Sequence, residues 1–199
     1  KNIHIREFQG GGLRFTNSQL TIANSVIDTN DSGGIALKNT SALVVNNIFL
    51  NGMTRYGQAP IKAVNNTFWG KALDGNCQED VGPLDFINNV VYDTELTIGL
   101  GWITGDCPIK AAQYADKNIT NNIFWKGTSD VTKCYVNHEF CGFTQPNNVK
   151  KNINVDPKLK TPAPDAAGWV PFGDGNFDPN PASPVIGAGD PSIPGTIKD

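Results

Sequence analysis

The apolar positions of this chain fall in short alternating runs, and the runs themselves recur. "TIANSVIDT" from Thr21, "LVVNNIFLN" from Leu43, "KAVNNTFWG" from Lys62, "DFINNVVYD" from Asp85 and "ITNNIFWKG" from Ile119 share one layout. An alternating apolar stretch leads into Asn-Asn or Asn-Ser, and a second apolar stretch follows. Alternation with a period of two is a strand signal. The runs are rich in Val, Ile, Thr and Phe and are punctuated by Gly and Asn, which predicts strands and turns and excludes a helical repeat. Aligning residues 11–30 with 33–52 matches Leu13 with Ile35, Phe15 with Leu37, Asn17 with Asn39 and Asn24 with Asn46, all at an offset of 22. The Asn column continues at Asn65, Asn88 and Asn121 with steps of 19, 23 and 33, so the strands hold their length while the loops vary.

Repeat periods of about 20 to 50 residues mark solenoids. Each copy is too short for a crossover helix, so successive copies must stack strand on strand as the rungs of a parallel β-helix. Rungs then lie about 4.7 to 4.9 Å apart, and any residue type held at one repeat position becomes a column along the axis. Two inward columns are predicted: Ile5, Ile27, Phe49, Phe68, Val91 and Phe124, and Ile22, Val44, Ala63, Phe86 and Ile119. Asn24, Asn46, Asn65, Asn88 and Asn121 are expected to form a structural ladder. An amide at a tight corner can donate to one neighbouring rung and accept from the other, and Asn tolerates the left-handed conformation such corners need.

The organisation predicted is all-β: a single solenoid over residues 1–159, then a Pro- and Gly-rich capping tail over residues 160–199. Open solenoid ends expose core and strand edges, so a cap is required. Trp169, Phe172, Phe177, Val185 and Ile186 give that tail apolar side chains with which to pack. Sliding the repeat frame back places Asn2 in the Asn24 column, so the chain enters in mid-rung. The expectation is a piece of a longer protein, with a preceding domain or a neighbouring subunit against the first rung.

The rung pattern resembles the right-handed parallel β-helix superfamily, the group similar to pectate lyases. "NINVDPKL" at 152–159 and "ASPVIGAGDP" at 182–191 are similar to the closing segment of many secreted bacterial members. The resemblance implies a secreted or cell-surface location and contact with polysaccharide. The "GHG" and "RIK" phrases of pectin hydrolases are absent, and no lyase Arg or Lys signature is present, so no catalytic residue carries over.

A net charge of −3 with three arginines offers no electrostatic footprint for nucleic acid, and no apolar run is long enough to span a bilayer. Four cysteines suggest two disulfides in an oxidising compartment, Cys77–Cys107 and Cys134–Cys141, among the three connectivities that four cysteines allow. The residue after the inward position reads Arg6, Asp28, Leu50, Trp69, Tyr92 and Trp125 on successive copies. Alternation turns it outward, and Trp69, Tyr92 and Trp125 would form a ridge able to stack on sugar rings. The loop with Asp74, Asn76, Glu79 and Asp80 has the oxygen donors of a calcium site; no other cofactor is expected. Asp80, Asp106, Lys110 and His138 are the candidate acids and bases of a lyase or hydrolase. The leading reading is a carbohydrate-binding or adhesive β-helix module. The rival is a polysaccharide lyase or glycoside hydrolase with loop-borne catalytic groups, and the third is a structural assembly subunit.

Overall fold

A computed structural model of the chain describes residues 4–5, 13–27, 34–50, 52–69, 74–75, 82–92, 117–125, 149–150, 152–161, 176–179, 181–187, 189 and 192. The regular structure among them is β throughout, and the chain walks round three parallel sheets in turn. The first circuit is β1 (His4–Ile5) in sheet I, β2 (Leu13–Thr16) in sheet II and β3 (Gln19–Ala23) in sheet III. The second is β4 (Val26–Ile27), β5 (Ile35–Lys38) and β6 (Ser41–Val45), and the third is β7 (Ile48–Phe49), β8 (Met53–Tyr56) and β9 (Ile61–Val64). The fourth is β10 (Thr67–Trp69), β11 (Asp74–Gly75) and β12 (Leu84–Ile87). Sheet I continues through β13 (Val90–Tyr92), β15 (Ile123–Trp125) and β17 (Ile153–Asn154), and sheet III through β14 (Lys117–Thr120) and β16 (Val149–Lys150). A stack of parallel rungs is the result.

The register agrees with the alignment of copies. Leu13 pairs with Ile35 and Phe15 with Leu37 in sheet II, and Ile22 pairs with Val44 in sheet III. Phe68 pairs with Phe49 on one side and Val91 on the other in sheet I. Of the inward columns, Ile27, Phe49, Phe68, Val91, Val44, Ala63, Phe86 and Ile119 are buried in one core cluster, and half-buried Ile22 packs against it. On two copies side chains of different size face each other around the corner between sheets III and I. Ala63 precedes Phe68, whereas on the next copy Phe86 precedes Val91. The Phe49 and Phe68 rings stack at 4.9 Å, and Phe68 meets Phe86 at 5.5 Å with a 30° tilt. A core of this kind fills evenly because a large residue on one sheet is matched by a small one on the other.

Both strand-to-strand corners are built on the same local device. Asn24, Asn46, Asn65, Asn88 and Asn121, between sheets III and I, have φ from 51° to 57°, and Asn17 and Asn39, between sheets II and III, have φ of 51° and 46°. The left-handed region costs most side chains about 1 to 2 kcal/mol but suits Asn. On the third copy the sheet II to III corner passes to Gly57, φ 87°, where an added Cβ would lie 1.8 Å from Asn39 Oδ1. The residue after the left-handed Asn then bonds backward: Ser18, Ser25 and Thr40 each donate a hydroxyl to the carbonyl two residues earlier.

One inward position breaks the apolar rule. Arg55 follows Phe15 and Leu37 in the core column of sheet II, is 2% exposed, and donates Nη1 to the Pro83 carbonyl at 3.2 Å. Gly75 is its in-register neighbour on the next rung, which leaves room for so large a side chain.

Beyond the rungs, β18 (Leu159–Thr161) pairs antiparallel with β19 (Asn176–Pro179). Ser183 is buried and donates its hydroxyl to the Pro157 carbonyl, and an added Cβ on Gly189 would lie 3.2 Å from Asn88 Cγ. Gly189 therefore lies beside the outer side of the Asn corner at Asn88, while Ser183 is tied to Pro157. Val185 is half-buried and Ile186 is 59% exposed. Trp169 and Phe172 lie outside the described residues.

Candidate functional site

Two polar columns run through the corner between sheets III and I, and they have different tasks. The first Asn of each pair carries the left-handed bend. Its side chains lie on the outer side of the corner, where Asn46 Nδ2 donates to Asn24 Oδ1 at 3.3 Å. The second residue of each pair, one position later than the column singled out in the sequence, forms the buried ladder of Ser25, Asn47, Asn66, Asn89 and Asn122, with half-buried Asn152 at its end. Asn89 illustrates the bonding. Its Nδ2 donates to Ala63 O on the preceding rung at 3.0 Å and to Asn122 Oδ1 on the following one at 3.1 Å. Its Oδ1 accepts the backbone N–H of Asn66 at 2.9 Å and the Asn66 Nδ2 at 3.0 Å. Two donors and two acceptors exhaust a primary amide, so no polar capacity is left for a ligand. The ladder is scaffold, and Asn152, which the step pattern did not reach, extends it by one rung.

The outer faces of the three sheets differ in chemistry. Sheet II shows exposed Arg14, Thr16 and Lys38, and sheet III shows exposed Gln19, Thr21 and Lys62 with a half-buried Asp85 that accepts from Asn118 Nδ2 at 3.3 Å. Those are ordinary solvated faces. Among its described side chains sheet I is apolar on both sides apart from Thr67. Inward Ile27, Phe49, Phe68 and Val91 alternate with outward Val26, Ile48, Thr67, Val90 and Ile123, and the strands read as near-continuous apolar runs. That pattern belongs to sheets covered on both faces.

The outer face of sheet I is covered unevenly. Val26, Ile48 and Thr67 are half-buried, Val90 and Ile123 are 7% and 3% exposed although neither belongs to the core cluster, and Ile153, next in the column, is 41% exposed. Alongside runs the predicted aromatic column. Trp69 pairs in register with Tyr92, and Tyr92 with Trp125. Tyr92 and Trp125 are half-buried, as is Leu50; the Trp69 side chain is not described. Among the outward side chains described on this sheet none is charged. The register thus brings Trp69, Tyr92 and Trp125 to adjacent rungs of one sheet, beside a column that is already dry.

The other candidates separate from this face. Asp74 stands in β11, in register with Thr54 of sheet II, with its side chain not described. Asn76, Glu79, Asp80, Asp106, Lys110, His138 and the four cysteines, Cys77, Cys107, Cys134 and Cys141, lie outside the described residues. Among the described residues no group of three His, Cys, Asp or Glu side chains gathers to hold a metal ion, and no helix is long and apolar enough to cross a membrane. Arg55, the buried cation, was not legible as an inward residue from the copies first aligned. Its signal was the spacing Met53-x-Arg55, which repeats Ile35-x-Leu37. No protein family, curated protein or solved structure matches this chain.

Proposed function

We propose that the chain is a carbohydrate-binding or adhesive module of a secreted or cell-surface protein, with its glycan held on the outer face of sheet I by Trp69, Tyr92 and Trp125. The observation that carries the reading is the in-register aromatic column on an outer face without described charge, in which Tyr92 and Trp125 are half-buried. A pyranose ring has apolar C–H faces and a polar rim, and an exposed aromatic ring covers such a face while water keeps the rim.

In this reading the coil is a right-handed parallel β-helix of the kind similar to pectate lyases. The tail over residues 160–199 packs on the solenoid as its cap, and the two proposed disulfides hold the loops in an oxidising compartment. The glycan contact is the part that a simple experiment reaches. On a glycan array, wild type should retain a defined set of sugars, and Trp125→Ala should weaken that retention about five- to tenfold, since the indole's share of apolar burial against a sugar face is worth about 1 to 1.4 kcal/mol. Retention unchanged in Trp125→Ala removes the aromatic column from the account, and turnover of a retained polysaccharide replaces binding with catalysis.

A further inference from the structure

We infer that the ligand of this face is a neutral, extended glycan of equatorially 1,4-linked pyranoses, lying parallel to the solenoid axis with one sugar per rung; this rests on the glycan-binding reading above. Parallel pairing sets the separation of Trp69, Tyr92 and Trp125 at the strand spacing, about 4.7 to 4.9 Å per rung. A pyranose in an extended, equatorially linked chain advances by nearly that distance, so successive sugars can meet successive aromatic positions without drift. An axially linked chain coils and leaves the row after one or two contacts.

Charge narrows the class further. A uronate chain carries one carboxylate per sugar and calls for cations along its path. Among the described residues of the three sheets, the exposed cations are Arg14, Lys38 and Lys62, on sheets II and III, while the described outward side chains of sheet I carry no charge. The Val90 and Ile123 column beside the aromatic one is buried, so the contact is confined to the aromatic column itself. An uncharged strip of this kind leaves a carboxylate desolvated and unpaired, and it accepts a neutral sugar face at no such cost.

The test is calorimetric titration of the full chain with oligosaccharides of increasing length: neutral β-1,4-linked gluco- and manno-oligosaccharides, α-1,4-linked gluco-oligosaccharides and oligogalacturonates. The β-1,4-linked neutral series should bind, gain several-fold in affinity with each added sugar up to the length of the aromatic row, then level off, with no dependence on salt. Trp125→Ala and Tyr92→Ala should each flatten that length dependence, Trp125→Phe should restore part of it, and Thr21→Ala on sheet III should leave it unchanged. Circular dichroism matching wild type shows that each variant is folded. Preference for oligogalacturonates, or affinity that falls with salt, overturns the neutral class while leaving glycan binding standing. Equal binding of the α-1,4-linked series overturns the one-sugar-per-rung geometry. No binding of any oligosaccharide overturns the reading beneath both.

Discussion

Asn89 shows why the ladder is made of asparagine. Its amide donates to the rungs on either side and accepts two hydrogens from the preceding one, so a single side chain ties three rungs together. Serine can do less: Ser25 turns its hydroxyl back to Ala23 O within its own rung and meets the ladder through its backbone N–H, which donates to Asn47 Oδ1. Aspartate lacks the donors and would meet its neighbours with unpaired negative charge. Asn89→Ala should therefore cost about 2 to 4 kcal/mol, because it strands the Asn66 N–H and the Ala63 carbonyl in a dry interior; chemical denaturation measures it. Asn89→Asp adds a pH signature. Burial without a cation raises the folded pKa of the introduced carboxyl above its unfolded value, so the variant comes closest to wild type below the unfolded pKa and loses stability as pH rises through the folded one. Denaturation midpoints at pH 4 and pH 7, compared with wild type, should diverge toward pH 7. The doublet Asn-Asn was legible as structure rather than site. The division of labour within it was not, because bend and ladder are one residue apart and both ask for an amide.

At the level of the strand, alternation decides which residues enter the core, and the apolar columns read from the repeat are the ones that pack. The pairings Ala63 with Phe68 and Phe86 with Val91 show that volume is shared across the corner, so each strand is fitted to its neighbour and not only to its own pattern. Phe68 lies between Phe49 and Phe86, both of which it meets ring to ring. Phe68→Ala should cost about 3 to 5 kcal/mol in thermal or chemical unfolding, whereas truncating half-buried Thr67 on the opposite face should cost under about 0.5 kcal/mol. What alternation cannot report is what lies above an outward residue. Ile48 and Ile123 occupy the same column and read alike in sequence, yet Ile48 is half-buried and Ile123 is buried. Arg55 escaped for a related reason: a charged residue in an inward column is tolerable only where partners such as the Pro83 carbonyl reach it, and those come from another rung.

Over the whole molecule, stability accumulates rung by rung, as in any solenoid, and the two faces of sheet I divide its work. The inner face belongs to the common core, and the outer face carries the aromatic column on which the functional proposal stands. Fold was the more legible of the two, because a repeat prints its register many times over. The site was legible only as a column of residue types, since the candidate acids, bases and metal ligands fall between the recurring runs of the sequence, at positions that carry no periodic signal. Everything rests on in-register axial stacking, and through-space NMR of the isotopically labelled protein tests it most directly. The account predicts contacts linking the side-chain amides of Asn47, Asn66, Asn89 and Asn122 in unbroken succession, with slow exchange of those amide protons. Rapid exchange at these positions, with no contact between Asn66 and Asn89 or between Asn89 and Asn122, would contradict it.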